Sequence, residues 1–268
     1  MAFAVDRPGR EPWERRIQRA RQLAADSAAA ELLEFYARLL TFQKSVHGRF
    51  AALAPKASAE EVPDRDLALL APLVEELGRL AASKGPAPLA AEAGALVDRR
   101  PSEVRAWLLD WWREPSDRDF FAKALLQPYA AWLAEAGGPP LARGLPHAAN
   151  RCPFCGGAPQ LSVLDNPGET GGGRWLLCAT CLTAWPFRRV LCPSCGEEDE
   201  RRLGYFHAED LEHLRLDVCD TCRRYLKSVD LTRNGLAVPI VDEVAGAPLD
   251  VWARERGYEK IELNLVGL

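Results

Sequence analysis

Apolar residues recur every three or four positions over residues 11–137, then every second position over short runs beyond residue 160, so the chain changes grammar near its middle. Pro12 suits the first turn of a helix through Ile17 and Leu23. Asp26 and Ser27 are cap candidates for a second, in which Leu32, Phe35, Leu39, Phe42, Val46, Phe50 and Leu53 keep the same rhythm. Pro63 and Asp64 open a helix through Leu67, Leu70, Leu73, Leu77 and Leu80, and a shorter one covers residues 89–97. Pro101 and Ser102 begin a tryptophan-rich helix with Trp107, Leu108, Trp111 and Trp112. Ser116 or Asp117 begins the last, through Phe120, Phe121, Leu125, Tyr129 and Leu133, with a bend expected at Pro128. The aromatic residues fall on the helical stripes, which reads as core packing; a groove for a partner helix would show the same pattern.

Residues 137–150 are rich in Gly and Pro and mark a domain boundary. Beyond it, residues 160–164 and 174–178 alternate like strands around a loop of Asp165, Asn166, Pro167, Gly168 and further glycines. Residues 202–206 and 215–219 do the same around residues 207–213. Asn234-Gly235 between two apolar runs predicts a type I′ hairpin. Residues 248–258 read as a short helix and residues 260–268 as a closing strand.

Composition narrows the function classes. With 268 residues, 48% apolar and 27% charged, the chain is long enough for two compact domains and reads as globular. The formal net charge is −4, and from Arg151 onward 14 Lys+Arg face 18 Asp+Glu, so the acidic excess lies in the second half and disfavours nucleic-acid binding. MAFAVDRPGREPW lacks the basic start and long apolar core of a signal peptide, and no apolar stretch has the length of a bilayer span. The expected compartment is the reducing cytoplasm, without stable membrane insertion; there, paired cysteines are more often metal ligands or redox groups than disulfides.

All eight cysteines form C-x-x-C pairs: Cys152/Cys155, Cys178/Cys181, Cys192/Cys195 and Cys219/Cys222. Such a turn aims two sulfurs at one point, and two turns complete a tetrahedral site. The first and third pairs read CPFCG and CPSCG, the second and fourth CATC and CDTC, so a unit of about 40 residues repeats: knuckle, strand, loop, strand, knuckle. Gly156 and Gly196 stand where a left-handed backbone is needed. The repeat predicts two sequential sites, Cys152, Cys155, Cys178 and Cys181, then Cys192, Cys195, Cys219 and Cys222; an interleaved pairing has the same spacings. Each S₄ set suits one mononuclear ion, zinc or rubredoxin-type iron. Arg188, Arg189, Arg223, Arg224 and Lys227 are candidates to offset the negative charge, or else line a solvated surface. His47, His147, His207 and His213 show no ligand spacing, and residues 168–173 are a loop tip rather than a phosphate cradle. No catalytic motif is found, so the chain reads as a non-enzyme, although a dithiol oxidoreductase also uses C-x-x-C.

CPFCG at residues 152–156, CATCLTAWPFRRVLCPSCG at 178–196 and CDTCRRYLKSVD at 219–230 resemble the formate dehydrogenase accessory protein FdhE family. The middle run is the most specific, since Trp185 follows Cys181 by four residues, Arg189 follows Trp185 by four, and Cys192 follows Arg189 by three. Tyr225-Leu226-Lys227 after the last knuckle is equally characteristic, while Arg223 stands where glycine is expected. The resemblance implies an α+β protein with an all-α helical N-terminal domain and two rubredoxin-like or zinc-ribbon modules. The parts are residues 1–147, 148–190, and 191–268, the last adding the hairpin, helix and strand. It further implies a non-catalytic factor that binds the formate dehydrogenase catalytic subunit before Tat export, with two ions of iron or zinc. A homodimer is left open. The competing readings are a nucleic-acid-binding zinc ribbon and a rubredoxin-like redox protein.

Overall fold

The computed structural model of the chain describes residues 8–58, 60–97, 99–138, 140–141, 149–165, 173–207 and 210–268. The middle of the expected linker with His147, the loop at 166–172 and the start of the N-terminal stretch lie outside them. The first half is helical: α1 Trp13–Ala24, α2 Ala30–Gly48, α3 Asp64–Leu70, α4 Leu73–Lys84, α5 Ala87–Val97, α6 Pro101–Arg113 and α7 Phe120–Glu135. The single helix expected beyond Pro63 is two, because Pro72 has no N–H to donate into the preceding turn and its ring crowds it. The second helix stops at Gly48, leaving Phe50 and Leu53 in turns. The last helix is capped by Asp119, whose side chain accepts from the Ala122 N–H at 3.0 Å, rather than by Ser116 or Asp117. It runs on through Pro128.

Helix α7 is the axis of this half, with every residue from Phe121 to Leu133 buried. Tyr129 packs against Phe50, Trp112 and Trp132 at ring-centroid distances of 4.8, 5.4 and 5.6 Å. Its hydroxyl donates to buried Asp66 at 2.6 Å. The aromatic stripes are therefore core. Among the described residues no helix is long and apolar enough to cross a membrane.

The second half is a mixed sheet of β1 Pro159–Leu164, β2 Arg174–Cys178, β3 Ala184–Pro186, β4 Leu203–His207, β5 Leu214–Cys219, β6 Arg224–Asp230 and β7 Glu259–Lys260. Its order is β3-β2-β1-β6-β5-β4, with β7 also on β6. Each repeat is thus a three-stranded antiparallel meander, and the sequence pattern missed its third strand, β3 or β6. Parallel pairing of β1 with β6, Leu161 opposite Lys227 through Leu164 opposite Asp230, fuses the two meanders into one sheet.

The hairpin expected at Asn234-Gly235 does not form. Its second run becomes α8, Pro239–Ala245, because Pro239 cannot donate to a ladder and suits the first turn of a helix. Helix α9 spans Ala247–Glu255, and the closing strand shrinks to β7, followed by a turn in which Asn264 Oδ1 accepts from the N–H groups of Val266 and Leu268. One continuous core runs from the helices through β1, β2 and α8; a smaller one fills the space between β5, β6 and α9. The fold is α+β, an all-α half followed by two zinc-ribbon-like units.

Candidate metal centre

Each unit closes on itself through its knuckles. The Cys152 N–H donates to the Gly157 carbonyl at 3.0 Å, and the Gly156 N–H returns to the Cys152 carbonyl at 2.9 Å. In the second unit Cys192 donates to Glu197 at 2.9 Å and Gly196 to Cys192 at 3.0 Å. Gly156 and Gly196 have φ of +73° and +79°, the left-handed backbone that only glycine adopts without strain. The second knuckle of each unit makes the same turn without glycine: Leu182 and Arg223 both sit at φ +56°. A left-handed non-glycine costs about 1–2 kcal/mol. Leu182 is held by burial, and Arg223 by a 3.0 Å ion pair to Asp220 with its guanidinium 3.9 Å over the Tyr258 ring.

The turns bring the cysteines together as the sequential pairing requires, not the interleaved one. Cys152, Cys155, Cys178 and Cys181 form one group and Cys192, Cys195, Cys219 and Cys222 the other, with the sulfurs of each group within 4.8 Å of one another. Cross-knuckle Sγ–Sγ distances are 3.5 Å (Cys152–Cys181) and 3.4 Å (Cys155–Cys178) in the first, 3.8 Å (Cys192–Cys222) and 3.7 Å (Cys195–Cys219) in the second. A tetrahedron with metal–sulfur bonds of about 2.3 Å has edges of about 3.8 Å, so the second group fits an ion as it stands and the first with a slight expansion. Backbone N–H groups already point at sulfur: Thr180 at Cys178 and Ser194 at Cys192, both at 3.4 Å. Burial and the hydrogen bonds from Cys152, Cys155 and Cys178 hold the Cys181 thiol well above its ordinary range, so four thiolates coexist there only around a cation. Both groups could hold a metal ion.

The groups differ in exposure. All four sulfurs of the first belong to the main core, whereas in the second Cys195 is exposed and Cys222 half-buried.

The expected counter-charges are mostly engaged elsewhere. Arg188 pairs with Glu198 at 2.7 Å, Arg223 with Asp220, and Arg224 with Glu259 at 3.5 Å. Lys227 is fully buried between Glu243 and Asp250. Among the described residues, two buried cations that sequence reasoning did not single out lie within electrostatic reach of the clusters. Lys123 on α7 feels the charge of Cys178, and Arg174 on β2 that of Cys192. Lys123 donates to the Leu263 carbonyl at 2.7 Å; Arg174 donates to the carbonyls of Arg189 and Leu191 at 3.1 and 3.3 Å and to Asp217 at 3.2 Å. Nothing local marks them, since their roles arise from chain segments more than a dozen residues away. Trp185 donates to the Ala149 carbonyl at 2.9 Å, tying β3 to the approach to the first knuckle. His47, His207 and His213 bond to Glu135, the Leu214 carbonyl and Asp242, away from the sulfurs.

A helical domain joined to a sheet built from two cysteine-knuckled units defines a zinc-ribbon-like protein whose two four-sulfur groups could each hold a metal ion. Residues 151–189 match the family model described as FdhE, central domain, and residues 190–266 the one described as FdhE, C-terminal domain. A Protein FdhE homolog of Aquifex aeolicus is 38% identical over 44% of this chain and 42% of its own length. One of Haemophilus influenzae is 30% identical over 56% and 49%. The chain thus spans about half the length of these curated relatives. A Pseudomonas aeruginosa homologue aligns over 98% of this chain and 92% of its own, at 27% identity. The crystal structure of the FdhE protein from Pseudomonas aeruginosa shares the fold over 97% of both chains, with TM-score 0.71 and 24% identity. Residues 151–266 of this chain thus resemble the central and C-terminal domains of the FdhE family, and relatives of that name align over most of its length at 27% identity.

Proposed function

We propose that this chain is a cytoplasmic, non-catalytic assembly factor that binds the formate dehydrogenase catalytic subunit before Tat export. In this reading the eight cysteines ligate two metal ions, iron or zinc. The division into residues 1–147, 148–190 and 191–268 belongs to the same reading and is supported by the repeat of knuckle, two strands, knuckle and third strand. The observation that carries the proposal is the pair of four-sulfur groups at repeated spacing on one sheet, in a stretch that matches the FdhE domain models. Anaerobic co-purification with a tagged formate dehydrogenase catalytic subunit, with metals counted in the same sample, tests it. Retention of the subunit with two ions per chain is expected. Absence of the complex, together with normal formate oxidation in a strain lacking the gene, would overturn it.

A rubredoxin-like redox role has one observation in its favour, the exposure of Cys195 in the second group. A colourless protein that holds two zinc ions after anaerobic purification would eliminate it.

A further inference from the structure

The two sulfur groups are built alike locally but sit in different surroundings. In the first, Cys152, Cys155, Cys178 and Cys181 are all 4% exposed or less and are part of the core that continues into the helical half. The helical half also bonds to its knuckle: Gln127 of α7 donates to the Ala179 carbonyl, between Cys178 and Cys181, at 2.8 Å. The N-terminal segment adds cover, because Gly9 packs so closely on Leu177 and the Leu182 carbonyl that a Cβ there would clash with both. Among the described residues, the helical half, the sheet and the N-terminal segment cover these sulfurs, so an incoming ligand gains access chiefly when helices and sheet part.

The second group has no such lid. Its cysteines belong to neither hydrophobic core, and it lies beside β4, the edge strand, whose residues are mostly exposed. Cys195 is open to solvent and Cys222 half-open. Cys192 and Cys219, the buried pair, help line a cleft of about 380 Å³ together with Arg189, Tyr205 and Arg224. The group is thus approachable from the Cys195 side. The knuckle around Cys195 is anchored by exposed polar contacts, such as Thr221 Oγ1 donating to Glu197 at 2.6 Å, rather than by packed apolar side chains.

Metal leaves a thiolate site when an incoming donor displaces one sulfur at a time, so the accessibility of the first sulfur to be displaced controls the rate. We propose that the two sites divide into a permanent ion under the helical domain and an exchangeable ion at the second group, which soft nitrogen- or sulfur-donor ligands enter at Cys195. This rests on the metal-centre reading above and deepens it. The exchangeable ion departs by direct attack, at a rate proportional to the concentration of the attacking ligand. The permanent ion departs only after the helical half opens, at a rate independent of that concentration.

The test uses the full chain loaded with zinc and challenged with the chromogenic chelator 4-(2-pyridylazo)resorcinol at several concentrations, read by absorbance. Two equal phases are expected, about a hundredfold apart or more, with only the fast one rising with chelator. Cys195→Ser is expected to remove or further accelerate the fast phase and leave the slow phase unchanged. Iodoacetamide labelling with peptide mapping, on the native sequence after the fast phase alone, is expected to modify Cys195 and Cys222 and spare the four cysteines of the first unit. Release of both ions at one rate, or labelling of the first unit as fast as the second, would overturn the division while leaving two metal sites in place. A chain that never binds two ions overturns the metal-centre reading and this inference with it.

Discussion

Lys227 places its ammonium where water does not reach, 3.0 Å from a carboxylate oxygen of Glu243 and against Asp250, with Lys260 completing the group. Tyr225 donates to Asp250 at 2.8 Å and Asn264 to Glu243 at 2.7 Å, so the buried oxygens have partners. Two of the three residues of the Tyr225-Leu226-Lys227 tail therefore serve to dock α8 and α9 on β6, not to neutralise a metal site. Removing one member of such a network leaves buried charge uncompensated, so Lys227→Met is expected to cost about 3–5 kcal/mol, read as a fall in the urea midpoint. Burial pushes the Glu243 carboxyl up, but the ammoniums of Lys227 and Lys260 and the hydrogen bonds of Lys260 and Asn264 outweigh it and bring it down to about 2 from an ordinary 4.5. A depressed carboxyl contributes stability that is complete above its unfolded value and disappears as the pH drops toward its folded one. Urea midpoints should hasten downward below about pH 4.5 and level off near pH 2, and Glu243→Gln should flatten that slope. At the knuckles, Gly156→Ala forces a Cβ into φ +73° and is expected to cost about 1–2 kcal/mol with metal content unchanged, measured by denaturation and metal analysis.

Helix α8 is one element through which the two halves hold each other. On it, neighbouring acids face opposite partners: Glu243 meets the lysines of β6 and β7, while Asp242 accepts from Arg19 of α1 at 2.6 and 3.0 Å and bonds His213 at 2.8 Å. Asp242 also caps its own helix by accepting from the Val238 N–H at 2.7 Å. Arg19→Ala removes a two-pronged charge-assisted bond from a buried acid and should destabilise by about 1.5–3 kcal/mol in urea titration, with α1 amides gaining hydrogen exchange first. Read as sequence, the run holding these acids passed for the second arm of a hairpin, since a buried acid and an exposed one look alike in a linear pattern. The third strands β3 and β6 were equally hidden: one is three residues long and the other alternates little, being buried from Tyr225 to Val229.

At the scale of the whole molecule, the two repeated units are neither separate beads nor a stack. The open edge of β1 in the first unit is completed by β6 of the second, and β1 is buried along its entire length. A chain ended at residue 190 would expose that edge and the core face under α8 together, and both are association hazards. Such a chain is expected to be recovered as aggregate rather than monomer by gel filtration, with or without added zinc. Recovery of a zinc-loaded monomer would show that the first unit and the helices suffice for each other.

The cysteine pairs, their two-by-two assignment and the glycines beside them were legible in the sequence because a knuckle is a local object: four residues and one left-handed turn specify where two sulfurs point. The helices of the first half were legible for the same reason, their periodicity being a property of neighbouring turns. That Pro72 divides one apolar stripe into two helices and that Pro239 opens α8 after Asn234 are local effects too, carried by a single proline each against the surrounding apolar pattern. Tertiary structure alone decided that Lys227 belongs to a buried ionic network, and that Lys123 and Arg174 instead lie within electrostatic reach of the sulfurs. Each of these last outcomes depends on what packs against a residue from far along the chain. The same cause separates the two sulfur groups, nearly identical in spacing, into one sealed beneath the helices and one open at the edge of the sheet.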